Sequence, residues 1–110
     1  MESIYEELGR NLLELAADQS EWSQRTFGTD LERGPIGALK HLEKEAREAQ
    51  EHPDDVSEYA DCLLLILDAA RRQHVTPLGL IKFAKEKMII NRQRTWAKPT
   101  DDEPVEHDKN

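Results

Sequence analysis

Disulfide chemistry is the first thing this 110-residue chain lacks: it has one cysteine, Cys62, so no internal disulfide can form and a reducing compartment is indicated. Cys62 opens the apolar run to Leu67, where a buried structural thiol is expected rather than a nucleophile. No apolar run approaches the roughly 20 residues that cross a bilayer. The N-terminus, Met1 to Glu7, has no positive segment followed by an apolar one, so no signal peptide is expected. The protein is expected to be cytoplasmic, without a membrane partner. Excess positive charge is lacking too, since the net charge is −8, which argues against a nucleic acid polymer as ligand. No Gly-rich phosphate loop, internal repeat or strand alternation is found. Apolar residues make up 37% of the chain and aromatics only 5%, which is little for a self-contained core of this size. A homo-oligomer, dimer or tetramer, is therefore expected.

The charge is unevenly spread. Residues 82–98 carry Lys82, Lys85, Lys87, Arg92, Arg94 and Lys98 against Glu86, a local balance of +5 that leaves −13 on the remainder. A basic patch in an acidic protein suits a small anion.

The periodicity is helical throughout, and the class is all-α, a bundle of four to five helices. Ile4, Leu8, Leu12 and Leu15 predict a first helix over about 2–17. Asp18 and Glu21 form a capping-box pattern for a short second helix that ends at Gly28. Pro35 opens a helix to about Glu51, and Asp54 or Asp55 caps the next, over about 55–73. That helix is apolar on nearly every side, so burial on two faces is predicted. Thr76-Pro77 begins a last helix, to about Trp96, with Leu78, Ile81, Ala84 and Met88 inward. A single domain over 1–97 is followed by an acidic tail, 98–110, that is either disordered or folded over a neighbour.

Glu45 and Glu48 lie three apart on one helix, and Glu58 and Asp61 repeat that spacing on the next. A short connection makes the two helices antiparallel neighbours, so the pairs can converge. Four converging carboxylates repel one another unless a cation lies between them, and such oxygen ligands select magnesium or manganese over zinc. Charged residues three apart are ordinary on a solvated helix face, which is the bland reading of Glu45 and Glu48. The pair Glu58 and Asp61 begins an otherwise apolar helix, where an unpaired charge is costly.

Glu45-Ala-Arg-Glu48 followed by Glu58-Tyr-Ala-Asp61 resembles the signature of the MazG-like all-α nucleoside triphosphate pyrophosphohydrolases. Three further segments resemble their dATP/dGTP branch, common in phages and bacteria: Glu21 to Gly28, Gly34 to Glu45, and Lys87 to Trp96. The resemblance covers roughly residues 20–107. Many relatives have two adjacent acids where this chain has Lys44-Glu45. The resemblance implies hydrolysis of a deoxynucleoside triphosphate, dGTP or dATP, to its monophosphate and pyrophosphate. It implies magnesium, with manganese as substitute, on Glu45, Glu48, Glu58 and Asp61. Glu45 and Glu48 are the candidate catalytic residues.

Substrate-binding candidates are Trp22, His41, Lys87, Asn91 and Arg94. Trp22, with Phe27 and Trp96, offers a flat surface for a purine, against core packing as the plainer role. His41 shares a helix face with Glu45 and Glu48, to hold a carboxylate or touch substrate. His52, His74 and His107 are expected to be exposed. Lys87, Asn91 and Arg94 fall at i, i+4 and i+7 of the last helix, to grip phosphate oxygens or to complement the helix dipole. Two alternatives stay open: the same fold acting on dUTP, dCTP or damaged nucleotides, and a non-enzymatic helical adaptor with solvated acids.

Overall fold

The computed structural model describes residues 1–108 and contains four helices: α1 (Ile4–Phe27), α2 (Ile36–Glu51), α3 (Val56–Arg72) and α4 (Pro77–Gln93). No strand is formed among the described residues, and no helix is long and apolar enough to cross a membrane. The chain divides into two compact units, Met1–Pro77 and Leu78–Asn110.

The first unit holds α1, α2 and α3. Ser3 caps α1 through a hydrogen bond from the Glu6 amide, and Asp55 caps α3 by accepting from the Ser57 amide. The turn between α2 and α3 is closed by Tyr59, whose hydroxyl donates to the Pro53 carbonyl at 2.7 Å. Both α1 and α2 pack on α3, which makes α3 the middle element of this unit.

One helix replaces the two expected between residues 2 and 27. Asp18 and Glu21 do not cap anything; they lie inside a continuous α1 of 24 residues. From Asp18 to Phe27 there is no Gly or Pro to break it, and tertiary contacts favour continuation. Gln19 and Ser23, one turn apart, are buried against α3. The polar residues that resemble a cap in sequence form an inward-facing hydrogen-bonding stripe.

That stripe meets a buried ionic network. Asp68 and Arg72 have side chains 7% and 3% exposed, and Arg72 Nε donates to Asp68 Oδ2 at 3.0 Å. Gln19 Nε2 and Arg71 Nη2 donate to Asp68 Oδ1 at 2.9 and 2.7 Å. Arg72 also donates to Ser23 Oγ and to the carbonyls of Gly28, Thr29 and Arg33. Arg71 binds Asp30 at 3.1 Å. The α1–α2 loop is thereby fastened to α3. Gly28 allows the loop to leave α1 because its φ of 112° is unfavourable for any residue with a Cβ.

The apolar core is small, with Leu67 and Ala69 as its buried members. The two-faced burial expected of α3 is not reached within one chain, since Leu63 and Ile66 remain 45% and 40% exposed. In the second unit α4 stops at Gln93, short of Trp96, and none of its residues is buried, Leu78, Ile81 and Met88 included. The tail folds back within its own unit. The Asp108 amide donates to the Thr95 carbonyl, and the Trp96 and His107 rings meet edge to face at 5.6 Å. His107 is therefore half-buried rather than exposed. The last two residues of the expected tail, Lys109 and Asn110, lie outside the described residues.

Burial disfavours the charged form of Asp68, but hydrogen bonds from Ser23, Gln19, Arg71 and Arg72 outweigh it and bring its pKa to about 2. Because the folded-state value lies below the ordinary 3.8, this contribution to stability is complete above about pH 3.8 and is lost as pH falls toward 2. Arg72→Met leaves a buried carboxylate short of its partner. The expected loss is about 3–5 kcal/mol at neutral pH in urea unfolding. A loss below about 1 kcal/mol would show the network to be dispensable.

Candidate active site

The carboxylates come from facing stretches of α2 and α3. Oxygens of Glu45, Glu48 and Glu58 lie within 4.8 Å of one another. The three-residue spacing on α2 brings Glu45 and Glu48 to one face, and the short turn at 52–55 folds Glu58 back against it. Asp61 is outside this tight trio and exposed, yet close enough for its charge to act on Glu58.

Glu58 is the strained member. Its Oε2 is buried without a hydrogen-bond partner among the described residues. Burial raises its pKa, and the charges of Glu48, Asp55, Glu45 and Asp61 raise it further. Glu45 is better supported, since His41 Nε2 lies 3.1 Å from its Oε1 and its side chain is only 13% exposed. Lys44 approaches Glu48 at 4.0 Å, on an exposed edge. Among the described residues no basic side chain forms an ion pair with Glu58. A converging set of oxygen donors with one orphaned buried oxygen fits a hard divalent cation.

The acid group opens on a cleft of about 230 Å³, reached by Glu45, Asp61 and His41 at one end. Trp22 and Phe27 wall it, their rings edge to face at 5.3 Å and 88°. The inner wall is the Gln19–Ser23–Asp68–Arg72 network, and the remaining side is the loop and start of α2, from Arg33 to Ala38. Pockets that enclose a drug-sized ligand span roughly 300–1,000 Å³, so this one suits part of a ligand, such as a flat ring. Of the sequence candidates, Trp22, His41, Glu45 and Asp61 share this cleft.

Lys87, Asn91 and Arg94 belong to the second unit. Lys87 and Asn91 lie on α4, but α4 ends before Arg94, which sits in a turn with its amide 3.3 Å from the Asn91 carbonyl. The helical i+7 relation expected of Arg94 is therefore not realised. Trp96 is engaged by the tail, and its Nε1 donates to the Asn91 carbonyl at 2.8 Å. Sequence reasoning missed Gln19, Ser23, Arg33, Asp68 and Arg72. The signal for two of them was present: Asp68 and Arg72, four apart, interrupt an apolar helix where charges need partners.

The all-α architecture and facing acid pairs agree with the MazG-like resemblance noted in the sequence. The model of the dATP/dGTP pyrophosphohydrolase family matches residues 10–110. The chain belongs to that family. It is 44% identical over 92 residues to the Eaa protein of Salmonella phage P22. That match takes in 84% of this chain but spans only 28% of the relative's length. Among solved structures, a cyanophage S-2L MazG-like pyrophosphohydrolase bound to dGDP and three catalytic Mn2+ ions per active site is similar. It shows a TM-score of 0.68 and 30% identity over 87% of this chain and 95% of that one.

Removing one charge from the acid group separates folding from metal binding. Glu48→Gln is expected to melt no lower than the unsubstituted protein in chelator, because repulsion on Glu58 is relieved. Manganese is expected to raise the melting temperature of the unsubstituted protein and not of the variant. Equal manganese stabilisation of both would place metal binding elsewhere.

Proposed function

We propose that the chain hydrolyses purine deoxynucleoside triphosphates, dGTP or dATP, to the monophosphate and pyrophosphate with a divalent cation. Magnesium is the proposed cation and manganese its substitute, held by Glu45, Glu48, Glu58 and Asp61. One observation carries this reading: a buried Glu58 oxygen without a hydrogen-bond partner among the described residues, grouped with like charges, of which Glu45 lines an aromatic-walled cleft. A bound divalent cation supplies Lewis acidity toward phosphate oxygens.

The protein's own residues do the rest. Glu45, oriented by His41, and Glu48 are the carboxylates assigned to orienting water and accepting its proton. Trp22 and Phe27 offer the base a ring face to stack against, which favours purines over the smaller pyrimidines. Lys87 and Asn91, with Arg94 beyond the end of α4, are assigned to phosphate oxygens as charged and neutral donors. The dGDP and Mn2+ of the cyanophage structure support the same substrate and cation classes here.

A homo-oligomer is part of this reading. Ile4 and Leu8, one turn apart on α1, are 75% and 68% exposed, and Leu63 and Ile66 of α3 are also uncovered. Such apolar faces on one chain are characteristic of a surface that pairs. Light scattering at micromolar concentration is expected to give a dimer or tetramer, and Ile66→Lys to dissociate or unfold it. A clean monomer contradicts the oligomer.

Product analysis tests the reaction. Ion-exchange chromatography is expected to show dGMP or dAMP with intact pyrophosphate and no early orthophosphate. Glu48→Ala and Asp61→Ala are each expected to lower kcat/KM at least about a hundredfold, the scale of losing one charge-stabilising group. Orthophosphate as the first product points instead to sequential phosphatase action.

A further inference from the structure

The inner wall of the cleft is polar, yet its carboxylate and its Arg72 guanidinium are fully engaged. Asp68 accepts from Gln19, Arg71, Arg72 and Ser23, which fills the roughly four lone-pair positions of a carboxylate. All five N–H groups of Arg72 are directed to protein acceptors: Asp68, Ser23 and the carbonyls of Gly28, Thr29 and Arg33. Gln19 Oε1 already accepts from Arg71 at 2.6 Å. Despite its charges, this wall has no carboxylate oxygen to spare for a ligand donor.

Arg33 is the contrasting residue on the cleft. Its Cγ and Cδ lie over Gly28, each 3.2 Å from where a Cβ would stand. Its Nη1 is 3.4 Å from the Phe27 carbonyl, and its Nη2 passes close to Gly37. The stem thus lies over the Gly28 backbone in an exposed residue, while the guanidinium has no carboxylate partner among the described residues. A planar fork with unused donors stands beside Trp22 and Phe27, on a cleft with no free carboxylate along its inner wall.

We propose that Arg33 reads the O6 and N7 atoms of guanine and makes this enzyme prefer dGTP to dATP. Guanine presents two adjacent acceptors on that edge, which a guanidinium engages in bidentate fashion. Adenine presents N7 beside the N6 amino donor, which faces another donor there. Along the inner wall beside Arg33 the amino group finds no carboxylate to accept from it, because Asp68 is saturated; the cleft's other carboxylates, Glu45 and Asp61, belong to the acid group assigned to the cation. A mismatched buried donor then lowers affinity for adenine as well as removing a hydrogen bond. This assignment rests on the reading that the Trp22–Phe27 cleft holds the base.

Base analogues test it on the unaltered protein. In kcat/KM with magnesium, dITP retains O6 and N7 and is expected to match dGTP. By contrast, 7-deaza-dGTP, which lacks N7, and dATP are each expected to fall below it, dATP by about tenfold or more. Arg33→Met keeps the apolar stem over Gly28 and is expected to reduce the dGTP:dATP ratio by about tenfold or more. The same variant is expected no longer to distinguish 7-deaza-dGTP from dGTP. If dITP behaves like dATP, the 2-amino group is being read and Arg33 is not the determinant. An unchanged ratio in Arg33→Met overturns the proposal equally. Trp22→Ala separates the two levels: if it keeps the purine preference intact, the base lies elsewhere and both readings fall. Loss of purine preference there, with an unchanged ratio in Arg33→Met, overturns the role of Arg33 alone.

Discussion

The ion pair between Asp68 and Arg72 is the constraint on which the first unit depends. A seven-residue stretch between Gly28 and Gly34 has no regular ladder to satisfy its carbonyls. Arg72 satisfies three of them from below while pairing with Asp68 and Ser23. A guanidinium suits this task because its five donors lie in one rigid plane; an ammonium could not reach as many acceptors. The loop, the end of α1 and the end of α3 are consequently held as one body. The cleft is the space they leave between them and the first turns of α2.

Two acidic centres on α3, ten residues apart in sequence, show opposite electrostatic outcomes. Asp68 is more buried than Glu58, yet its pKa is lowered because four side chains donate to it. The Glu58 carboxyl has no such donors and faces four other acids, so its pKa is raised. Burial alone does not decide the direction; the supply of donors does. Fully satisfied polar clusters fix a fold, whereas unsatisfied ones mark places where the molecule is completed by something else. Asp68 is thereby complete within the fold, whereas Glu58 keeps an open oxygen, as the proposed cation site requires.

The small apolar core agrees with this division. Leu67 and Ala69 are buried, while α1 and α3 carry apolar rows that the single chain leaves uncovered. Hydrogen-bonded polar contacts set the geometry of the cleft, and apolar surface remains for association. The family match over nearly the whole chain accommodates both features, since the acid pairs and the cleft lie within the matched residues.

Much of this was legible in the residues alone. The all-α class followed from the 3.6-residue apolar period, and the facing acid pairs followed from two three-residue spacings across a short turn. Pro35, Asp55 and Pro77 stand at helix starts because their backbone and capping preferences are local. What sequence could not settle was the meaning of Asp18 to Ser23. A polar segment of this kind serves equally as a helix cap or as a buried stripe, and only the presence of Asp68 and Arg72 across the interface selects the stripe. The end of α4 before Arg94 and the return of the tail onto Trp96 likewise depend on contacts distant in sequence or absent from local propensity. Arg33 was invisible for the same reason. Its residue type is common on loops, and the role proposed for it rests on partners that Arg72 and Asp68 have already consumed. Local spacing determined which groups share a helix face, because backbone geometry enforces it. Tertiary structure alone decided which of those groups are satisfied, because hydrogen-bond partners are supplied across the fold.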